Sequence, residues 1–181
     1  MRNLKYALLG LLNQQAMTGY DLAKEFHKGL SEFWYAKHSQ IYPELKKLVE
    51  EGLLTYEIQI TGEILEKKLY TITKEGKTDF LEWLLKKEPM ESTPKDIFRL
   101  RMYFSSCITP KNRIHLLEHE LKQHEERLIF LKETMKNHTV IPKPTDPQFG
   151  DYIVLEGAII REEGSVQWLK NCITYCNGSS N

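Results

Sequence analysis

The sequence predicts a mainly α, α+β chain: helices along most of its length, with one small β element set among them near the N-terminus. Three observations carry this. Apolar residues recur at helical spacing over most of the 181 residues. Only two short runs, 54–60 and 68–73, alternate or are rich in β-branched and aromatic residues, as strands are. The densest helix breakers fall at 89–94 and 139–148, between the patterned segments.

Leu4, Ala7, Leu8, Leu11 and Leu12 place the first helix over 4–13. Thr18 caps a second, with Asp21 three residues on as a capping-box variant. Its apolar stripe is Leu22, Ala23, Phe26 and Leu30. A connector over 31–38 is rich in aromatics: Phe33, Trp34 and Tyr35. Ser39 opens the third helix, and Pro43 sits in its first turn or at the edge of it, where a missing N–H costs least. Ile41, Leu45, Leu48 and Val49 form its core stripe, and Gly52 ends it as a left-handed cap. Two strands follow, with Thr61-Gly62-Glu63 suited to the hairpin turn between them. A helix over 74–87 carries apolar Phe80, Trp83 and Leu84.

The prolines from Pro89 to Pro94 mark a boundary, giving domains 1–88 and 89–181. Beyond it the pattern is helical over 95–106 (Ile97, Leu100, Phe104), 110–137 with Pro110 at its start, and 150–176. The proline-rich loop 139–148 separates the last two, and Asn177 to Asn181 reads as a frayed tail.

Composition narrows the function. Hydrophobic residues make 41% of the chain and charged residues 28%, enough for a packed core. Twenty-five basic residues balance 25 acidic ones, which gives no support to a strongly basic nucleic-acid binder but leaves a local basic face open. The apolar run Ala7 to Leu12 is too short for a signal peptide, and no stretch approaches the roughly 18 apolar residues of a membrane span. Cys107, Cys172 and Cys176 make no disulfide framework and read as free thiols in a reducing cytoplasm. His115, His119 and His124 lie among glutamates, yet His119-Glu120 is followed by histidine one residue too late for a zinc motif, so a solvated charged face is expected. With no phosphate loop and no catalytic triad either, neither an enzyme nor a cofactor is expected.

Three helices, a hairpin and a fourth helix within the first domain describe a winged helix-turn-helix with a two-stranded wing. In that arrangement the third helix enters the major groove of double-stranded DNA, and the wing lies along the phosphates or the minor groove. Opposite its core stripe the helix presents Ser39, Gln40, Pro43, Lys46, Lys47 and Glu50. Gln40 suits adenine edges, Lys46 and Lys47 guanine or phosphate, and Ser39 a phosphate near the helix N-terminus. Lys37 and His38 extend the donors, and Tyr42 borders the face with its hydroxyl. The wing adds Lys67 and Lys68, offset by Glu63 and Glu66. Spacing alone describes a solvated polar helix face equally well.

Three blocks carry a resemblance. Residues 6–26 hold Leu9-Gly10-Leu11-Leu12 and Thr18-Gly19-Tyr20-Asp21-Leu22; residues 39–54 hold Ser39, Tyr42-Pro43, Leu45, Leu48 and Glu51-Gly52-Leu53; residues 67–76 read KKLYTITKEG. In this order they resemble the PadR family of transcriptional regulators, in its members with a longer helical C-terminal domain. The resemblance implies a dimeric, cytoplasmic, sequence-specific DNA-binding repressor that releases DNA when an effector binds or a signal arrives. It adds Thr18 and Tyr20 to the DNA-binding set. It also makes phenolic or drug-like aromatic effectors conceivable, for which Trp34, Trp83, Trp168, Phe33, Tyr35 and Phe104 could line a pocket. The wing is short and acidic for the family.

The C-terminal helices share a seam. Ile114, Leu117, Leu121, His124, Leu128, Leu131 and Met135 are spaced alternately three and four apart, as are Tyr152, Leu155, Ile159, Glu162, Val166, Leu169 and Ile173. Antiparallel pairing sets His124 opposite Glu162, within one chain or across a dimer; such a pair fixes register at some cost in stability. The alternative is that both turn to solvent. Leu116, Phe130, Ile153, Ile160 and Trp168 widen the stripes, which a second subunit would cover, so an all-helical C-terminal dimerisation domain is expected. Two other functions stay open: a winged-helix and coiled-coil interaction module that binds no DNA, and a helical small-molecule-binding protein.

Overall fold

The computed structural model describes residues 2–28, 34, 37–61, 65–90 and 94–178, and all their side chains except those of 27, 28, 38, 61, 65 and 66. Leu30, Phe33, Tyr35, Gly62, Glu63, the end of the tail at Asn181, and the side chains of His38 and Glu66 therefore lie outside it. The chain divides into two compact units, Met1–Glu91 and Ser92–Asn181.

The first unit runs α1 (Asn3–Gln14), β1 (Met17–Thr18), α2 (Gly19–Lys28), α3 (His38–Glu50), β2 (Leu54–Thr61), β3 (Leu65–Ile72) and α4 (Lys74–Leu84). The sheet has three strands, not two, in the antiparallel order β1-β3-β2. A two-residue strand leaves no periodic pattern; β1 exists because Met17 and Thr18 pair with Tyr70 and Leu69. Leu8, Leu9, Leu12, Leu22, Phe26, Ile41, Leu45, Leu48, Leu54 and Ile72 form the core. The α1 stripe is turned slightly from expectation: Leu9 is fully buried, while Leu4, Ala7 and Leu11 are half-buried against the core. Leu84 is exposed.

α3 begins one residue earlier than its sequence suggests. Lys37 is the N-cap and offers no capping side chain; instead the Gln40 side-chain carbonyl accepts the Lys37 backbone N–H at 3.0 Å. That shift places Pro43 inside the helix rather than in its first turn, so the Ser39 carbonyl lacks an i+4 N–H. At the other end Gly52 takes φ +73°. Gly52 N–H donates to Val49 O at 3.0 Å and Leu53 N–H to Leu48 O at 2.9 Å, the paired bonds of a left-handed helix stop. Thr73 closes the wing onto this stop: its N–H donates to Leu53 O at 3.1 Å and its hydroxyl to Gly52 O at 2.8 Å. The same hydroxyl accepts Gly76 N–H at 3.0 Å and caps α4, which ends at Leu84, short of Lys87.

The second unit holds α5 (Ile97–Tyr103), a 3-10 turn (Ser105–Cys107), α6 (Pro110–Met135) and α7 (Phe149–Gly178). The single helix expected over 95–106 breaks after Tyr103. α7 is longer than expected and takes in Asn177. Thr109 caps α6 by accepting Asn112 N–H at 3.2 Å, ahead of Pro110.

α6 and α7 are antiparallel, tied by Lys170–Glu125 at 2.8 Å and Lys132–Glu163 at 2.7 Å. Every residue of both expected seams is buried or half-buried, with Leu117, Leu131, Leu155, Val166 and Leu169 at the centre. His124 and Glu162 meet within one chain: Nδ1 lies 2.5 Å from Oε2, so neither turns to solvent. Glu162 also accepts Arg127 Nε at 3.1 Å, and Glu120 stands 3.8 Å from the far ring nitrogen of His124. Phe130, Ile153, Ile160 and Trp168 remain exposed, while Leu116 is half-buried.

A contact between partly buried polar groups of this kind should couple. His124→Ala and Glu162→Ala are expected to interact by about 1 kcal/mol in a double-mutant cycle read by urea denaturation. Additivity of the two losses would mean that the contact carries no energy.

Candidate nucleic-acid interface

The outward side of α3 and the wing enclose a groove of 670 Å³ lined by Thr18, Gly19, Tyr20, Tyr42, Lys46, Val49, Glu50, Tyr56, Lys67, Lys68 and Tyr70. Each wall has a local cause. Thr18 ends β1 and caps α2, accepting Asp21 N–H at 3.2 Å and donating to its carboxylate at 2.7 Å. Gly19 follows and lets Tyr42 approach closely: a Cβ there would stand 2.6 Å from Cε1 of Tyr42, so the ring would have to shift. Tyr42 and Tyr20 are exposed at the rim. On the wing, Tyr56 pairs with Tyr70 across the strands, with ring centroids 5.8 Å apart. Lys68 Nζ sits 4.1 Å over the Tyr56 ring, a cation–π contact that holds the ammonium at the groove edge. Burial pushes the Tyr70 phenol pKa up, against the pull of Lys68.

The charge of the groove is local and positive. Among the described residues, Lys46, Lys67 and Lys68 line it with one carboxylate, Glu50, which lies 3.8 Å from Lys46 on the helix surface. Such an exposed pair is worth little in water, and Lys46 is held only loosely. Lysines and phenol hydroxyls on a concave strip are suited to phosphate oxygens.

The residues expected to bind DNA divide over two sides of α3. Thr18, Tyr20, Tyr42, Lys46, Lys67 and Lys68 share the groove. Gln40, Pro43 and Lys47 line a separate depression of 400 Å³ with Arg2, Asn3, Leu4, Trp34 and Glu44. Ser39 and Lys37 are exposed and line neither, and the His38 side chain lies outside the described residues. Sequence reasoning missed Tyr56 and Tyr70. The Tyr56↔Tyr70 register was the missing information, since alternation alone does not say which face of a hairpin meets the helix. It also missed Arg2, whose guanidinium bonds Glu44 at 2.6 and 3.0 Å and pairs with Glu51, both on or next to α3. Glu51 first and then Glu44 raise the guanidinium pKa further above its ordinary value.

A second cavity, of 840 Å³, lies between α1 and α4, lined among others by Tyr6, Gly10, Asn13, Gln14, Trp34, Phe80 and Trp83. Tyr6 stacks on Trp83 at 4.6 Å, and Lys5 holds Asp79 across the same two helices at 2.7 Å. Of the aromatic set expected around an effector, Trp34 and Trp83 meet here. Trp168 and Phe104 belong to the second unit, packed against Phe98 and Tyr103, and Phe33 and Tyr35 lie outside the described residues. Among the described residues, no group of three or more His, Cys, Asp or Glu side chains is placed to hold a metal ion, and no helix is long and apolar enough to cross a membrane.

Comparison with known proteins fits this geometry. Residues 8–82 match the model of the transcriptional regulator PadR-like family, and residues 94–177 that of the virulence activator alpha C-terminal region. The chain is 42% identical over 176 residues to the negative transcriptional regulator PadR of Bacillus subtilis, covering 96% of this chain and 97% of that one. It is similar to the crystal structure of Bacillus subtilis PadR in complex with operator DNA: TM-score 0.92, 40% identity, 97% of this chain and 99% of that one. The complex of that protein with p-coumaric acid gives TM-score 0.88 and 38% identity, over 97% of this chain and 99% of that one.

Gly19→Ala tests the groove wall directly. The Tyr42 ring must swing away, and stability changes by about 1 kcal/mol, because the atoms met belong to a side chain and not to backbone. NMR should show the Tyr42 ring signals displaced and those of Tyr70 unmoved; an undisturbed Tyr42 would contradict the close packing.

Proposed function

The chain belongs to the PadR-like family of transcriptional regulators, and we propose that it represses transcription as a homodimer on a palindromic operator, using α3 and the wing as its DNA face. It is a DNA-binding regulator; it acts by binding rather than catalysis, and its place is the cytoplasm, with the DNA. The observation that carries the reading is the groove, where three lysines and the tyrosines of α3 and the wing share one concave strip. The outward ridge of α3 would enter the major groove with its two edges facing opposite walls. Tyr42 and Lys46 then serve one side with the wing, and Gln40 and Lys47 the other. The Gln40 carbonyl is engaged at the cap, which leaves its amide N–H groups to read acceptor edges. The exposed apolar residues of α6 and α7 supply the dimer surface, and a dimer supplies two copies of α3 at the spacing of one helical turn of DNA, roughly 34 Å.

Titration against the DNA preceding its own gene tests this. Specific binding is expected, with log affinity falling linearly in log salt concentration. A Gln40→Ala, Lys46→Ala double variant that still dimerises should lose about 100-fold in affinity or more. Equal binding to the promoter and to random duplex would reject the regulator reading.

The structure of the Bacillus subtilis relative with p-coumaric acid favours an effector of the same kind here. A small phenolic acid fits the cavity between α1 and α4, its ring against Tyr6, Phe80 and Trp83 and its carboxylate toward the Asn13 and Gln14 amides. p-Coumaric acid should quench tryptophan fluorescence saturably and weaken promoter binding about tenfold or more. Trp83→Leu should abolish both effects; a variant that still responds would move the effector site elsewhere.

A further inference from the structure

On β2, Tyr56, Ile58 and Ile60 alternate with Thr55, Glu57 and Gln59, the period of a strand with one covered face. The apolar row is nonetheless uncovered. Exposure rises along it from 40% at Tyr56 to 56% at Ile58 and 73% at Ile60. The row starts inside the groove, because Tyr56 is one of its walls. Ile58 stands directly across the ladder from Lys68, the residue whose ammonium lies on the Tyr56 ring. The basic rim and the apolar row therefore adjoin, basic and aromatic near α3 and aliphatic further out along β2, where Ile60 stands across the ladder from Glu66. Ile58 and Ile60 themselves offer DNA no charge and no hydrogen-bonding side chain.

We propose that Ile58 and Ile60 form an apolar runner that packs on the deoxyribose carbons lining the minor groove, beyond the phosphates reached by Lys67 and Lys68. The inference rests on the DNA-binding reading given above and names the part of the duplex the wing takes. Minor-groove walls are the apolar edges of the sugars, and aliphatic side chains are known to serve proteins there. β-Branched side chains on a paired strand have few rotamers to lose on docking. Because such a contact displaces no counterions, it adds affinity without adding salt dependence.

That separation is the test. Promoter affinity is measured against salt for the wild type, for Ile58→Thr/Ile60→Thr, and for Lys67→Gln/Lys68→Gln. Threonine keeps the β-branch, and circular dichroism melts confirm that the wing domain stays folded. The isoleucine variant is expected to bind about tenfold more weakly at every salt concentration, with the wild-type slope. The lysine variant should instead show a shallower slope. Unchanged affinity in the isoleucine variant overturns the runner. So does a reduced slope, which would mean that the loss came from displaced lysines. Dissociation of the dimer by the isoleucine variant, with promoter affinity per dimer intact, also overturns it, by making the row a protein contact. Failure of the wild type itself to prefer its promoter is a different result and removes the DNA reading underneath.

Discussion

The joint where α3 stops and the wing closes is the constraint on which the proposed DNA face depends. Gly52 takes a positive φ that other residues adopt only with strain, and this turns the chain from helix into β2. Thr73 then returns from β3 and bonds the carbonyls of both Gly52 and Leu53. The two ends of the wing are thereby fastened to the end of α3, and the same threonine starts α4. A helix and a hairpin joined at one point could swing against each other. Two hydrogen bonds and the buried Leu48, Leu54 and Ile72 beside them fix their angle. The groove between Lys46 and Lys68 is the space that this fixed angle leaves.

Along the body of α3, and again at its C-cap, a second constraint is ionic. Arg2 precedes α1 and takes hold of Glu44 and Glu51. Glu44 is the buried charged residue among those described, and without Arg2 its carboxylate would be desolvated and unpaired, a costly state. The second unit uses the same device in another place. His124, Arg127 and Glu162 form a polar node in an otherwise apolar seam, and only one antiparallel register brings them together. An all-leucine seam would slide by a heptad at small cost, whereas a slide here strands a carboxylate between helices.

Much of this was legible in the sequence, for identifiable reasons. The heptad spacing of 114–135 and 152–173 fixes which residues face which, and so predicts the His124–Glu162 contact. Gly52 after a helical stripe, and Thr73 before Gly76, are local signals with local consequences. What escaped were facts of three dimensions. β1 is two residues long and exists only because β3 lies beside it. The start of α3 shifted because the Gln40 side chain caps it from within, which no N-cap preference announces. Tyr56 and Tyr70 looked like strand residues and became groove walls once the register was known. Gln40 and Lys47 fell on the far edge of α3 from Lys46 because one helical face is wide enough to line two depressions.

The neutral composition deserves a physical answer, since a regulator that grips phosphates is expected to be basic. Net charge counts every carboxylate equally, but a duplex meets only those within a Debye length of its phosphates, about 8 Å in physiological salt. In the first unit several carboxylates already have partners within the domain. Glu44 and Glu51 face Arg2, Asp79 faces Lys5, and Asp21 accepts from Thr18. Among the described residues, Lys46 leans on an exposed glutamate and Lys68 on an aromatic ring. These acids have partners within the domain, while among the described residues Lys46, Lys67 and Lys68 stand along the groove, so a basic strip and a neutral sum are compatible. A face built this way gains modest affinity from charge and must obtain the rest from shape and from apolar contact, which is what an aliphatic outer wing supplies.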